Sequence, residues 1–211
     1  MTLPMPQSEN PTPADMTPPD REDAHLVERT LSQQEILKGH FLHAFCDQVV
    51  LPDGQTTVRE YVVHPGAVMI IAFTDDGRLV MERQYRYPMR QVMIEFPAGK
   101  LDPGEEQLMC ARRELLEETG YQAREWAYAG VLHPVISYST EFIGIWFARG
   151  LHAGERQLDA GEFLDVFTET PETLLRWARE GRITDAKTLT GLLWLQNHLN
   201  GDWSFQWQAA G

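Results

Sequence analysis

Apolar and polar positions change rhythm several times along this 211-residue chain, and each change predicts an element. From "GHFLHAFCDQVVLPDGQTTVREYVVHPG" onward, alternation around a "PDG" turn predicts a hairpin, Phe41 to Val50 and then Thr57 to Val63. "AVMIIAF", the turn "TDDG" and "RLVMERQYRY" predict a second hairpin. Its first strand is apolar almost without interruption, which implies cover on both faces. "QVMIEFPAGKL" reads as a further strand that breaks at Pro97.

The period then lengthens. Glu105 to Thr119 carry strong helix formers, and Gly120 stands where a left-handed helix stop belongs. "AYAGVLHP" and "TEFIGIWFARGL" return to strand. "TPETLLRWARE" and "DAKTLTGLLWLQNHL" place apolar residues at helical spacing, the first opened by Thr170 and Pro171 as cap and first-turn residues. Strands and helices mix without a regular β-α-β repeat, so the fold class is α+β, or an α/β sandwich around a mixed sheet. Residues 1–28 are rich in Pro, Asp, Glu and Thr and poor in large apolar side chains, which predicts a disordered tail.

Composition narrows the functions. With 43% hydrophobic residues the chain is long enough for one core of ordinary size. A formal net charge of -13 (18 Lys+Arg against 31 Asp+Glu) argues against partners that bind by charge alone, whether nucleic acid or an anionic membrane. An anionic ligand then needs a local cationic device, and a bound metal is the first candidate. Two cysteines, Cys46 and Cys110, are too few for a disulfide framework. No apolar run is long enough to span a bilayer and no secretory signal opens the chain, so a cytoplasmic protein is expected.

The stretch "GKLDPGEEQLMCARRELLEETGY", Gly99 to Tyr121, carries the chemistry. At about 100° per residue, Leu108, Ala111 and Leu115 form one stripe, and Glu114, Glu117 and Glu118 fall in a neighbouring arc. One helix can thus pack its apolar stripe and aim three carboxylates into a cleft. Their repulsion is relieved by a hard divalent cation, which takes oxygen ligands. Arg113, four residues before Glu117, is placed to orient it by an ion pair. The preceding "PAGKLDPG" turn presents backbone amides and carbonyls around Gly99 to a metal or a phosphate. A glutamate-rich helix taken alone is ordinarily a solvated face; the whole pattern is far more specific.

That pattern resembles the signature of the Nudix hydrolase family, G-x5-E-x7-R-E-U-x-E-E-x-G-U with U bulky and apolar, matched at Gly99, Glu105, Arg113, Glu114, Leu115, Glu117, Glu118, Gly120 and Tyr121. The resemblance implies an α/β/α sandwich around a mixed sheet and Mg2+-assisted cleavage of a diphosphate, with Mn2+ as an alternative ion. It extends over roughly residues 35–200, through "VREYVVHPGAV", "ERQYRYP", "EFPAGKLDPGE", "HPVISYSTEF" and "GRITDAKTLTGLLWLQ", to the ADP-ribose pyrophosphatase branch. It implies hydrolysis of ADP-ribose to AMP and ribose 5-phosphate. It also implies that residues 29–64 form a small strand-rich subdomain that builds a homodimer, ahead of a hydrolase domain at 65–205.

Residue roles follow from the same resemblance. Glu114, Glu118 and the carbonyl of Ala98 are the implied metal ligands, with Glu117 orienting metal and water beside Arg113. A late-loop carboxylate serves as base or further ligand, and Glu162 in "HAGERQLDAGEFLDV" is the candidate. Related enzymes carry two carboxylates spaced by one residue there, whereas this chain has Ala160 at the earlier position and Asp159 offset by one, so the base is Glu162 or another loop carboxylate. Arg86, and Arg59 likewise, match substrate-contacting arginines suited to paired hydrogen bonds with phosphate. Glu95 is expected to meet a substrate hydroxyl or lie near a metal. An arginine flanked by Tyr85 and Tyr87 is equally compatible with cross-strand packing.

Three other readings share these residues: hydrolysis of another nucleoside diphosphate sugar such as GDP-mannose, an ADP-ribose sensor without catalysis, and a diphosphate isomerase. The last requires a reactive cysteine in the pocket. A sensor commonly carries a DNA-binding module, and no basic helix-turn-helix pattern follows residue 170.

Overall fold

Among the described residues two sheets and three helices build the body of the molecule, and a third sheet stands at the amino-terminal end. The computed structural model describes residues 22–158 and 160–210. Most of the expected tail, residues 1–21, lies outside the described residues; within its remainder Ala24–Leu26 form one 3-10 turn.

The first sheet contains β1 (Arg29–Ser32), β2 (Glu35–Lys38), β3 (His43–Val50) and β4 (Thr56–Val63). The predicted first hairpin is present: β3 and β4 pair antiparallel from His43 opposite Val63 to Val50 opposite Thr56. Its first strand opens two residues later than expected, because Gly39 donates its N–H to the carbonyl of Leu42 (2.8 Å) and closes a turn there. The free edge of β3 is taken by β1 and β2 in succession.

Next come β5 (Ala67–Ala72), β6 (Leu79–Arg86), β7 (Gln91–Glu95), β8 (Ala98–Lys100) and α1 (Gln107–Thr119). They are followed by β9 (Tyr121–Leu132), β10 (Ile143–Ala153), β11 (Leu164–Glu169), α2 (Pro171–Arg179), α3 (Ala186–Leu199) and β12 (Gln208–Ala209). The central sheet has the order β12-β9-β10-β5-β8, with β5 and β10 parallel and the other pairs antiparallel. β11-β6-β7 form a separate antiparallel sheet.

Every residue of β5 is buried, as its unbroken apolar run predicted. Met69 and Ile71 pack with Leu174 of α2 and Leu192 and Leu195 of α3. Val68, Ile70 and Ala72 pack with Cys110, Ala111 and Leu115 of α1 and with Trp126 and Trp146. The expected three-layer sandwich is therefore present. Its stability is concentrated in these layers: truncating a fully buried leucine such as Leu115 to alanine costs about 2–5 kcal/mol.

The second predicted hairpin is not formed. β5 and β6 belong to different sheets, and the turn between them keeps one antiparallel bridge, from Phe73, the residue after β5, to Leu79. Both edges of β5 are already occupied, by β10 and β8, so the "TDDG" turn hands the chain to a second sheet. The strand expected over "QVMIEFPAGKL" does break at Pro97, and its halves β7 and β8 likewise serve different sheets.

Helix ends follow local chemistry. α1 begins at Gln107 rather than Glu105, because the Glu105 carboxylate accepts the Asp102 N–H (3.0 Å) and closes the preceding turn. It ends at Gly120, whose φ of 73° is left-handed and whose N–H reaches the Leu116 carbonyl at 2.8 Å. Thr170 and Asp185 cap α2 and α3 by accepting the N–H of Thr173 (3.3 Å) and Thr188 (2.9 Å). No described helix is long and apolar enough to cross a membrane.

Candidate active site

Strand β8 and helix α1 face each other across the glycine of the signature. A Cβ on Gly99 would stand 1.8 Å from Cδ of Glu114, so only glycine lets the helix carboxylate close onto this strand. Arg113 organises the rest. Its guanidinium donates to Glu105 (2.9 and 2.8 Å), Glu114 (2.7 Å), Glu117 (3.0 Å) and the Lys100 carbonyl (3.1 Å). The expected ion pair with Glu117 is formed, as one of three. The Arg113 hydrogen bond holds the Glu105 carboxyl below its ordinary range, against a smaller opposing effect of burial.

Glu118 is 4% exposed, with Oε2 accepting the Ala98 N–H at 3.1 Å. Burial pushes its carboxyl well above the ordinary range, and the charges of Glu82, Glu114 and Glu162 push it further; the Ala98 N–H opposes them only in part. Burial also raises Glu114, although Arg113 works against it. Glu162 reaches this group from the loop before β11, where it accepts from Gln84 Nε2 (3.2 Å). The structure thus brings Ala98, Gly99, Glu114, Glu117, Glu118 and Glu162 to the wall of one cleft of about 730 Å³. Asp159 lies outside the described residues.

Another part of the cleft pairs its cations with carboxylates. Arg86 on β6 forks onto Glu95 on β7 (2.8 Å from Nε and 2.8 Å from Nη2), and Lys187 of α3 donates to Glu95 and to Asp185 (3.0 Å). Glu95 is 3% exposed. Burial alone would raise its pKa, but the Arg86 hydrogen bonds and the Lys187 charge outweigh it, and the carboxyl sits below its ordinary value. Lys187 was not anticipated as a site residue. Its signal was the segment "GRITDAKTLTGLLWLQ", in which Asp185 caps the helix and so aims Lys187 at the cleft mouth.

Arg59 is not brought into this cleft by its own chain. It lies on β4 in the amino-terminal sheet, and its guanidinium is held by Glu28 (2.9 and 2.5 Å). Tyr85 and Tyr87 are exposed, and the Tyr87 ring lies under the Arg90 guanidinium at 3.7 Å. Cys110 is buried inside α1, and burial together with the charges of Glu105 and Glu114 raises its thiol pKa; Cys46 sits on β3 in the amino-terminal sheet. Neither supplies the reactive thiol that an isomerase reading requires.

The donor set fits a hard divalent cation: carboxylate and carbonyl oxygens only, with Glu114 and Glu118 raised first by burial and then by neighbouring carboxylates. Among the described residues no three Asp, Glu, His or Cys side chains are gathered closely enough to enclose an ion as they stand. Arg113 occupies oxygens of Glu114 and Glu117 that a cation would share.

Sequence relationships agree with this geometry. Residues 63–205 match the NUDIX domain family, and residues 28–62 match the nucleoside diphosphate sugar hydrolase N-terminal domain. The chain belongs to the Nudix family. It is 40% identical to the methanol dehydrogenase activator of Bacillus methanolicus over 80% of this chain and 92% of that protein. It is 36% identical to the ADP-ribose pyrophosphatase of Bacillus subtilis (strain 168) over 81% of this chain and 94% of that one. A crystal structure of an ADP compounds hydrolase shares the fold, with a TM-score of 0.76 at 22% identity, covering 83% of this chain and 95% of the other.

Proposed function

We propose that this chain is a divalent-metal-dependent hydrolase that splits the diphosphate of ADP-ribose into AMP and ribose 5-phosphate, with Mg2+ as the working ion and Mn2+ as a substitute. The observation that carries the reading is the polarity of the cleft. An oxygen-rich wall built from α1, β8 and the Glu162 loop faces Arg86 and Lys187 across one cavity. A diphosphate flanked by two sugars needs cations along its anionic centre and hydrogen-bonding partners beyond it, and this cavity offers both. The Bacillus subtilis relative, an ADP-ribose pyrophosphatase, supports the choice of substrate.

Glu114, Glu118, the Ala98 carbonyl and Glu162 would hold the metal. When bound, it supplies charge that offsets the diphosphate and makes water more acidic. The protein's own groups do the rest. Arg113 keeps Glu105, Glu114 and Glu117 at fixed positions despite their repulsion. Arg86 and Lys187 hold the anionic substrate against Glu95. Glu162, or another loop carboxylate, takes the proton of the attacking water as the new phosphorus–oxygen bond forms, and the bridging oxygen leaves with the other phosphate.

The chain is read as a tail at 1–28, a dimerisation subdomain at 29–64 and a hydrolase domain at 65–205, working as a cytoplasmic homodimer. The first sheet carries exposed apolar side chains, among them Leu31, Ile36, Leu37, Val58 and Val63, and a partner copy would cover them. Such an exchange would also carry Arg59 toward the partner's cleft. Both cysteines are unpaired, which suits a reducing compartment.

Turnover of ADP-ribose, GDP-mannose, NADH, diadenosine polyphosphates and FAD, with Mg2+ and then with chelator, tests the reading. The expected result is AMP and ribose 5-phosphate from ADP-ribose, only with metal. Preference for GDP-mannose would move the substrate within the family, and ADP-ribose binding without turnover would make the protein a sensor.

A further inference from the structure

Strand β6 carries a buried carboxylate, Glu82, that the signature does not contain. Side chains of β6 alternate between faces. Leu79 and Met81 enter the layer shared with α2 and α3, while Val80 enters the layer shared with α1. The α1 face continues along β6 to Gln84, which donates to Glu162, and to Arg86, which donates to Glu95. Glu82 lies on that face between Val80 and Gln84.

Its surroundings would suit an apolar residue. Glu82 stands opposite Val166 on β11 and Glu95 on β7, is 3% exposed, and its Oε1 has no hydrogen-bond partner. Among the described residues it forms no ion pair. The nearby arginines are engaged elsewhere: Arg86 forks onto Glu95, and Arg156 donates to the carbonyls of Glu118 (2.6 Å) and Leu164 (2.9 Å). A carboxylate oxygen held out of water without a donor is strongly unfavourable, and more so beside like charges. The Glu82 charge is among those that act on Glu118, and the Glu162 charge acts on both.

We propose that Glu82 is a metal ligand of this chain, giving its unpartnered oxygen to the divalent cation held by Glu118, from the sheet facing the signature helix. A cation shared by the two would supply the partner that Oε1 lacks, and would add an oxygen to an ion that takes six or more. The inference rests on the metal-dependent reading above.

Mn2+ titration followed by the free-ion EPR signal, paired with thermal melting with and without Mg2+, tests it on the full chain and on Glu82→Gln, Glu82→Val and Glu118→Gln. Glu82→Gln is expected to weaken Mn2+ binding by roughly ten-fold or more, and Glu82→Val at least as much. Both variants should melt higher than the parent without metal and gain less from Mg2+. If both bind Mn2+ as the parent does and keep its full Mg2+ response while Glu118→Gln loses it, Glu82 is a buried structural group and the inference is overturned. If the parent itself neither binds Mn2+ nor responds to Mg2+, the metal-dependent reading falls and takes the inference with it.

Discussion

Glu95 and Glu118 are nearly equally buried, 3% and 4% exposed, at two ends of one cleft, yet their carboxyls are displaced in opposite directions. Burial pushes both upward. At Glu95 it is outweighed by a two-pronged arginine and a lysine; at Glu118 the neighbours are three more carboxylates and one backbone N–H. Depth therefore does not set the chemistry; the sign of the company does. One end is neutralised by the fold and complete before any ligand arrives. The other stays short of positive charge, which is the condition a cation site needs.

The largest test of this contrast is Glu118→Gln. Steady-state turnover of ADP-ribose with Mg2+ is expected to fall by about three orders of magnitude or more, roughly 4 kcal/mol of transition-state stabilisation, while the circular dichroism spectrum is retained and the metal-free protein melts higher. Unfolding of this variant would make the helix carboxylates structural. Next in size, Lys187→Met leaves Glu95 to Arg86 alone. Urea unfolding should show a loss of about 1–3 kcal/mol, and KM for the diphosphate substrate should rise.

The two ends also predict opposite pH dependences. Glu82, Glu114 and Glu118 have folded-state values above their unfolded ones. Above the ordinary carboxylate value near 4.5 the unfolded chain has released protons that the folded chain still holds, so metal-free stability declines as pH rises. Glu95 and Glu105 lie below their unfolded values, so their contribution is present above that point and is lost as pH falls. Melting temperatures of chelated protein should peak near that value and decline toward alkaline pH, and saturating Mg2+ should flatten the alkaline side. An unchanged slope with Mg2+ would mean that the raised carboxylates are not where the metal binds. The smallest effect belongs to a control: Arg83 stands 3.9 Å from Asp165 with both side chains more than half exposed, so Arg83→Ala should leave the melting temperature where it is.

The readable parts of the molecule were those governed by neighbours in the chain. The carboxylate arc of α1, its stop at Gly120, the cap at Thr170 and the break at Pro97 depend on spacing within a turn or two, and each is found as expected. Glu162 was placed at the cleft by resemblance, and the fold does bring it there. Arg59 matched the same relatives, but within its own chain β4 carries it away and Glu28 holds it.

Folding in three dimensions decided the rest. No local pattern says whether the edge of a strand is already taken, so two runs joined by a turn resembled a hairpin when both edges of β5 belonged to β8 and β10. No spacing rule brings Lys187 to Glu95 across 92 positions, or tells that Glu82, in a strand that reads like its neighbours, ends without a partner for one of its oxygens. Local spacing chooses which groups share a face, because backbone geometry repeats every two or three to four residues; which charges surround a buried group depends on segments that meet only in the folded chain.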